Sequence, residues 1–464
     1  MQVPILNGGY TDGAGDFRTA LPVNMIPVPK QNGISSGYLR PADGILSHGV
    51  GPGDDRGGIV WRGEHYRAMG GKLVRVANGL VEELGELAGV GPVTFDYSFD
   101  CLGIAAGGSL YYWNGTLTQV TDPDLGNVVD MVWVDGYFMT TDGEYLVVTE
   151  LNDRTSVNPL KYGSSEADPD PVKGLLKLRN EVYALNRHTI ELFDNVGGTL
   201  FPFERNEAGQ IQRGVLGTHC AVVYADSLAF LGSARNEAPA VWLGQNGGSQ
   251  KLSTREIDVL LEAYDEATLA QAELETRTLK GHQLLYLHLP DKTLVYDLAA
   301  SMAVEEPVWF VLSSSLTGTG RYRARHFVWH DNLWQCGDPG SANIGILTDA
   351  VSSHYGEVVG WEFGTSIIYN EGRGALFHEL ELVALPGRCA LGADPVVWTS
   401  HSEDGETWSK EVACPAGKIG ERNARIKWRR QGRMRQWRLQ KFRGTSDARL
   451  SFARLDATLE PLNV

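Results

Sequence analysis

Residues 70–80 read GGKLVRVANGL, and residues 107–117 read GGSLYYWNGTL. Both stretches place a short run rich in β-branched or aromatic residues between a Gly-Gly pair and an Asn-Gly pair. Asn and Gly tolerate the positive φ of a tight primed turn, so each stretch predicts a strand, a hairpin turn and a second strand. This part of the chain is therefore expected to consist of short antiparallel strands.

Similar units recur along the chain, and their starts lie roughly 30 to 55 residues apart, around the period of a four-stranded propeller blade. They are found at Val134–Tyr137, Asn180–Tyr183, Asp226–Phe230, His282–Tyr286 and Asn332–Trp334. A single blade cannot bury both of its faces, so about six such units around an axis would form a core. The pattern favours a β-propeller, and an irregular stack of β-sandwiches is the alternative.

The fold class that follows is mainly β. Among the 464 residues there are 55 Gly without a Gly-X-Y period, which indicates many tight turns. One segment differs, because Ser253 and Glu256 form a capping-box pattern ahead of apolar residues at helical spacing. We predict a short inserted helix there.

Three segments are expected. Residues 1–56 are rich in turn residues and predict an extended N-terminal arm. Residues 57–350 hold the recurring units and predict the β-propeller. Residues 351–464 show alternating apolar and polar positions and predict an additional C-terminal β module that carries a basic hairpin.

Several classes of function are disfavoured by composition and motifs. Five widely separated Cys residues predict buried free thiols and a reducing compartment, and no stretch approaches the roughly 18 apolar residues of a membrane span. The chain lacks HExxH, a P-loop and a Gly-x-Ser-x-Gly elbow, so we assign no metal site, no cofactor and no catalytic residue.

Residues 402–408, SEDGETW, resemble the Asp-box turn of sialidase-type propellers but are one residue short of it. Asp404-Gly405 between two strands also fits an ordinary hairpin turn. A glycosidase needs two carboxylates close together, and sequence spacing cannot show that. We expect a chain that is not an enzyme, with a sialidase-like or carbohydrate-binding propeller as the alternative.

The segment between Arg422 and Arg443 contains ten positive charges and no acid, although the whole chain has a formal net charge of −16. Three interpretations are open: a surface facing DNA, a protein interface for an acidic partner, and a solvated face that pairs with the chain's own acids. The candidate interface residues are Arg422, Arg425, Lys427, Trp428, Arg429, Arg430, Arg433, Arg435, Trp437, Arg438, Lys441 and Arg443.

A series of short blocks resembles the packaged-DNA stabilisation proteins of short-tailed bacteriophages, the tail hub or nozzle family. The order and spacing of the blocks, over most of the chain, carry the resemblance. The blocks are Leu21–Met25, Ser35–Arg40, Gly44-Ile45, Gly70–Leu73, Gly217–Cys220, Ala225–Phe230, Leu287–Pro290, Leu294–Asp297, Cys336–Asp338, Trp428–Arg433 and Lys441–Arg443.

The resemblance implies a virion protein of the phage tail, made in the host cytoplasm and forming a homo-oligomeric ring of six copies. Such a ring would close the portal channel, stabilise the packaged DNA and form part of the conduit for genome ejection. The implied partners are the portal adaptor or head-to-tail connector, the tail needle or plug, and the tailspike or tail fibre. Double-stranded DNA would pass without sequence-specific contacts, and no membrane is involved. A scaffold propeller that binds only proteins is a further alternative.

Overall fold

The computed structural model describes residues 1–11, 15–151, 153–245 and 247–462. Within them, strands form eight sheets of four or five strands, one seven-stranded sheet and one separate hairpin. The mainly β fold class, a propeller followed by a second β module, is confirmed.

Blades 1 to 4 are antiparallel sheets whose four strands follow one another in the chain. Blade 1 consists of Asp55–Trp61, Glu64–Met69, Lys72–Ala77 and Leu80–Glu86. Blade 2 consists of Thr94–Tyr97, Leu102–Ala106, Ser109–Trp113 and Leu117–Gln119. Blade 3 consists of Asp130–Val134, Tyr137–Thr141, Tyr145–Thr149 and Val157–Ser164. Blade 4 consists of Val172–Leu178, Glu181–Asn186, Ile190–Asn195 and Phe203–Ile211.

Blades 5 to 7 depart slightly from this plan. Blade 5 has a divided first strand and consists of Gly214–Val215, Ala221–Tyr224, Ser227–Ser233, Ala240–Gln245 and Gly248–Lys251. Blade 6 consists of Glu273–Leu279, His282–His288, Thr293–Asp297 and Trp309–Leu312. Blade 7 consists of Arg325–His330, Leu333–Gly337 and Asn343–Thr348, and Gly44–Val50 is its outermost strand.

The blades form a closed ring. The first strand of each blade contacts the first strand of the next, and the first strand of blade 7 contacts that of blade 1. Apolar side chains fill the space between neighbouring sheets, as where Trp61 and Tyr66 of blade 1 pack with Ile104 and Tyr111 of blade 2. Each sheet thereby buries faces that it could not bury alone, which is the reason a propeller was predicted.

The structure has seven blades within the described ranges, compared with about six units in the prediction. The turns quoted from the sequence fall in seven different blades, and the irregular spacing obscured the count. Moreover, blade 7 is incomplete within residues 57–350, because its fourth strand comes from Gly44–Val50.

Residues 1–56 were expected to form an extended arm, and the structure differs from that expectation. This segment supplies the closing strand of blade 7 and three strands of the C-terminal module: Gln2–Val3, Met25–Val28 and Tyr38–Pro41. Its apolar side chains enter the core of that module, which explains why the segment is folded against it. A separate hairpin, Gly8–Thr11 with Phe17–Ala20, lies between these strands in the sequence.

The C-terminal module is a β-sandwich of a seven-stranded and a five-stranded sheet. The larger sheet adds Ala375–Ala384, Ile426–Arg429, Arg433–Met434 and Phe452–Pro461 to the three N-terminal strands. The smaller sheet contains Gly360–Gly364, Ile368–Tyr369, Val396–Ser402, Val412–Pro415 and Trp437–Thr445. One apolar cluster between them includes Leu39, Phe377, Trp428, Phe442 and Phe452.

The predicted helix is present as two short helices, Arg255–Glu262 and Glu266–Leu269. The expected capping box is not formed, because the Thr254 side chain makes no capping hydrogen bond and Ser253 bonds to Asp258 instead. A third helix, Leu298–Val304, and a 3-10 turn, Pro123–Leu125, were not predicted. No helix in the described ranges is both long and apolar enough to cross a membrane.

Candidate interaction surfaces

The sandwich and the propeller are joined through Val23 and Asn24. The Val23 amide donates to Glu362 of the sandwich, and the Asn24 amide donates to Val311 of blade 6, both at 2.8 Å. Asn24 is buried with a φ of 53°, a backbone conformation that Asn adopts more readily than most residues. The short segment therefore connects the outer strand of blade 6 to the smaller sheet of the sandwich.

The Asn24 side chain completes this connection. Its Nδ2 donates to the carbonyl oxygens of Ser313 at 2.8 Å and Gly360 at 2.7 Å, and its Oδ1 accepts from the Ser313 amide at 3.0 Å. Asn24 lies in one of the blocks that carry the family resemblance. The structure gives that block a physical role, which is to hold the two parts of the chain together.

The basic C-terminal segment lies mostly on the edge of the larger sandwich sheet. In the pair formed by Ala375–Ala384 and Ile426–Arg429, Leu380 faces Trp428 towards the core, whereas Glu381 faces Lys427 on the outer side. This alternation follows from the two-residue period of a strand. It separates the candidate interface residues into three groups.

The first group pairs with the chain's own acids. Lys427 Nζ lies 2.6 Å from Glu379 and 3.3 Å from Glu381, and Arg425 also pairs with Glu381. On the smaller sheet, Lys441 lies 3.5 Å from Glu362, and Arg443 pairs with Glu411 and lies over the Trp398 ring. The neighbouring acids therefore compensate much of this positive charge.

The second group is buried, so its members cannot face a partner. Trp428 is 2% exposed and its Nε1 donates to the Val412 carbonyl oxygen at 3.0 Å. Arg438 is 0% exposed and donates to the Gln431 carbonyl oxygen and the Gln440 side chain. Both were candidate interface residues, and their burial corrects that assignment. Trp437 is half-buried against Phe17 of the N-terminal hairpin.

The third group is exposed and weakly compensated. Arg429 is exposed and lies 3.5 Å from Glu379. Arg430, Arg433 and Arg435 are exposed, and among the residues that the structure describes none of them has a carboxylate within ion-pair distance. We call these four arginines the basic edge; Arg422 is also exposed, at the opposite end of the strand Ile426–Arg429.

The Asp-box-like turn is a self-contained structural feature. Asp404 Oδ1 accepts hydrogen bonds from the amides of Glu406 at 3.0 Å and Thr407 at 2.8 Å, and from the Ser402 hydroxyl at 2.8 Å. These bonds and that of the Thr407 hydroxyl hold the pKa of Asp404 below its usual value. The carboxylate stabilises the turn.

A cluster of buried charges joins blades 6, 7 and 1. Arg67 donates to both oxygens of Asp55, at 2.6 and 2.7 Å. His326 bridges two carboxylates, with Nδ1 at 2.5 Å from Asp55 and Nε2 at 3.0 Å from Glu273. Glu273 also pairs with Arg325 at 3.1 Å. Each buried charge thus has an opposite charge beside it, as buried ions require.

The protonation of this cluster follows from its contacts. Burial alone would lower the pKa of His326, but the carboxylates of Asp55 and Glu273 raise it to about 10. Burial opposes ionisation of Asp55, yet Arg67 and His326 hold its pKa below its usual value. His326 is therefore a cation that joins two anions.

Glu275 holds two blades together. Its two carboxylate oxygens accept the amides of His326 at 2.7 Å and Phe327 at 2.9 Å in blade 7. Similar contacts recur around the ring, where Asp96 of blade 2 accepts from Trp133 at 2.6 Å and Asp130 of blade 3 accepts from Leu175 at 2.8 Å. Sequence reasoning missed these acids, because a single acid in a strand carries no signal of the blade that it contacts.

Comparisons with known proteins agree with both parts of the structure. One family model, described as Bacteriophage P22 Gp10, β-propeller, matches residues 1–352, and another, Bacteriophage P22 Gp10, β-sandwich, matches residues 360–460. The tail hub protein gp10 of Salmonella phage P22 is 29% identical over 457 residues, which covers 94% of each chain.

Among solved structures, the N-terminal domain of Nup159 is similar with a TM-score of 0.40 and 10% identity, over 69% of this chain and 97% of that one. The Pan2 WD40 domain of Neurospora crassa is similar with a TM-score of 0.41 and 11% identity, over 64% of this chain and 90% of that one. These two similarities carry no functional conclusion. The two family models together span nearly the whole length, and the chain belongs to the bacteriophage P22 Gp10 family.

Proposed function

We propose that this chain is a structural, non-enzymatic subunit of a bacteriophage tail hub. The observation that carries the proposal is the similarity to the P22 tail hub protein over 94% of both chains, propeller and sandwich included. Because the similarity extends through both parts of the fold, it supports the role of a whole hub subunit.

The finer proposal is a ring of six copies beneath the portal adaptor, in the virion, made in the host cytoplasm. The ring would close the portal channel, stabilise the packaged DNA and later form part of the conduit for ejection. A formal net charge of −16 supports this role, because a predominantly acidic wall repels phosphates and lets DNA pass without adhering. Contacts with a tail needle or plug and with a tailspike or fibre belong to the same proposal.

The propeller and the sandwich would have different roles in the hub. We propose that residues 57–350, closed by the strand Gly44–Val50, form the body of each subunit in the ring. Residues 351–464 would form the docking module. The connection at Asn24, which we call the seam, supports this division. Its buried hydrogen bonds fix the docking module to the body of the ring.

The basic edge is the proposed contact with the adaptor. Its arginines lie at the edge of the larger sandwich sheet, and three of them have no carboxylate within ion-pair distance among the described residues. Arg is a common hot-spot residue at interfaces, where its planar group forms two hydrogen bonds with one carboxylate. An acidic surface on the adaptor would supply those carboxylates.

The test is a triple variant, Arg430→Glu, Arg433→Glu and Arg435→Glu. We expect the variant to fold normally and to lose docking to purified adaptor rings, because like charges would then meet at the interface. A matched control is Lys30→Glu, Arg62→Glu and Arg179→Glu, which makes the same charge change at three exposed positions outside the basic C-terminal segment.

Two outcomes would count against the docking assignment. Normal docking of the triple variant and assembly into particles that retain DNA would contradict it. Normal docking combined with a lost, salt-dependent affinity for linear duplex DNA would instead favour a DNA-facing surface.

A further inference from the structure

A cavity of about 690 Å³ opens at one mouth of the propeller axis. It is lined by Asp55, Glu273 and Arg325, at the beginnings of the first strands of blades 1, 6 and 7, and by residues beside the strands of blades 2, 3 and 5. Because the first strands surround the axis, the cavity lies where the axis reaches the surface. It is distinct from the basic edge, which belongs to the sandwich.

Three nitrogen atoms of the lining residues are buried without a hydrogen-bond partner among the described residues. They are Nε of Arg321, Nε of Arg325 and Nε2 of His288. Arg325 is 6% exposed and His288 is 1% exposed, and the carboxylate oxygen of Glu275 lies 3.6 Å from His288 Nε2, beyond hydrogen-bond reach. Buried donors without partners are rare and costly, so these atoms require an explanation.

Arg321 differs from its neighbours in its charge environment. Arg323 pairs with Asp338 at 2.7 Å and Arg325 pairs with Glu273 at 3.1 Å. Arg321 has no carboxylate within ion-pair distance in the described part of the chain. Burial, and then repulsion by the positive charge of Arg325, lower the pKa of Arg321, whereas the carboxylates of Asp338, Glu273 and Asp54 act in the opposite direction.

His288 belongs to the same group. Burial, and then the charges of Arg325 and other cations including Arg321, lower its pKa, so the ring is neutral. Its Nδ1 lies 2.9 Å from the Thr293 hydroxyl. Nε2 carries the proton, and is a donor, in the tautomer whose Nδ1 accepts from that hydroxyl.

The acids of the cavity do not cancel this positive character. Glu273 is already paired with His326 and Arg325, and Asp55 with Arg67 and His326. Asp54 also lines the cavity, but it is exposed, so solvent and salt screen it. An anion that entered would lie beside the unpaired guanidinium group of Arg321, with Arg325 and His288 also in the cavity wall.

We propose that the cavity binds a tetrahedral oxyanion of the phosphate class, held by Arg321, Arg325 and His288. The donors come from three elements: the segment before blade 7, the first strand of blade 7 and the second strand of blade 6. Side chains on three separate elements suit the four oxygens of a tetrahedral anion. The bound anion would also relieve the repulsion between the two guanidinium groups.

The test uses the full chain as a single subunit, so its result does not depend on ring formation or on the virion. Inorganic phosphate, sulfate, acetate and chloride are added at matched ionic strength, and binding is followed by calorimetry and by the melting temperature. We expect phosphate and sulfate to give saturable binding and a higher melting temperature, and acetate and chloride to give little of either.

Arg321→Gln should weaken phosphate binding about tenfold or more, the effect of losing a charge-assisted hydrogen bond. Arg430→Gln is the matched control, because it removes one exposed arginine without a carboxylate partner on the sandwich, and phosphate binding should stay unchanged. Arg321→Lys, which keeps the charge, should recover part of the affinity.

Equal phosphate affinity in Arg321→Gln and in the unmodified chain would overturn the proposal, as would equal stabilisation by chloride. Should Arg321→Gln melt at a lower temperature without anion, broadening of the phosphate ³¹P resonance at a temperature where both chains are folded gives the same comparison. Persistent broadening with the variant would then overturn the proposal.

Discussion

At the scale of single residues, Asp55 and Arg67 form an ion pair that is closed to solvent. Both side chains are 0% exposed. Asp55→Asn would leave the Arg67 charge buried with reduced compensation, and we expect a loss of about 3–5 kcal/mol in the free energy of unfolding. Urea denaturation measures it.

The control for that substitution is Asp168→Asn, which breaks the exposed pair of Asp168 with Arg235. Exposed pairs contribute little, so this variant should unfold close to the unmodified chain. A similar loss in both variants would show that burial of the Asp55 pair is not what matters.

The raised pKa of His326 predicts a dependence of stability on pH. The folded-state value of about 10 lies above the ordinary 6.5, so protonated His326 favours the folded state. This contribution is fully present below pH 6.5 and is lost as the pH rises through about 10. Stability should therefore fall across this interval.

His326→Gln should remove that part of the slope. The measurement is the free energy of unfolding between pH 6.5 and about 10, the two pKa values of His326, for both chains. Subtraction of the two curves removes the titration of Lys and Tyr residues that both share. Parallel curves would contradict the assignment of a protonated His326.

None of these residues could be singled out from sequence. His326 and Asp55 are 271 positions apart, and only ring closure brings them together. In the basic segment, the sequence showed the charges but not their surroundings, since strand alternation buries Trp428 and exposes Arg429. Which arginines lack a partner depends on Glu379 and Glu381, which lie on another strand.

At the scale of elements, the strand Gly44–Val50 closes the propeller. Ile45 is 0% exposed and packs in the core of blades 6 and 7, whereas its neighbour Leu46 is 43% exposed. Ile45→Ala should cost about 2–4 kcal/mol in the free energy of unfolding, from lost burial and the cavity left behind. Leu46→Ala should cost much less.

The comparison of those two variants by urea denaturation tests whether the closing strand is part of the cooperative unit. If Ile45→Ala and Leu46→Ala both lowered the free energy of unfolding only slightly, the strand would be loosely attached and would not close the ring.

The seam at Asn24 is the second element-scale prediction. Asn24→Ala removes three hydrogen bonds, leaves buried groups of Ser313 and Gly360 without partners, and should cost about 3 kcal/mol. Asn24→Gly removes the same bonds but accepts the positive φ, so it should cost about 0.5–1 kcal/mol less. Thermal unfolding followed by calorimetry measures both.

If Asn24→Ala and Asn24→Gly lost the same free energy of unfolding, the positive φ at position 24 would contribute nothing to the difference between them. A loss near zero for both would contradict the role of the side chain in joining the propeller to the sandwich.

At this scale, the positions of the tight turns were predicted well from the sequence. The pair Asn78-Gly79 has positive φ at both positions and joins two strands of blade 1, as its composition indicated. The strand pairing of residues 1–56 could not be predicted from their turn residues, because the partner strands lie far away in the sequence. The strand Gln2–Val3, for example, pairs with Asp456 and Leu455.

At the scale of the whole molecule, charge is distributed unevenly. The formal net charge is −16, while the basic edge collects four exposed arginines at the rim of one sheet. In the proposed ring, that arrangement keeps DNA from adhering and directs the sandwich towards an acidic neighbour. Sequence predicted the asymmetry, but the identity of the neighbour depends on the assembly and not on this chain alone.

The central claim is that the chain acts as a structural subunit of a phage tail hub. Imaging purified virions at a resolution that traces the chain tests it most directly. The account predicts a ring of this subunit below the portal, with Arg430, Arg433 and Arg435 against acidic residues of an adjoining protein. Absence of this subunit from the tail, or a basic edge that faces solvent in every copy of the subunit, would contradict the account.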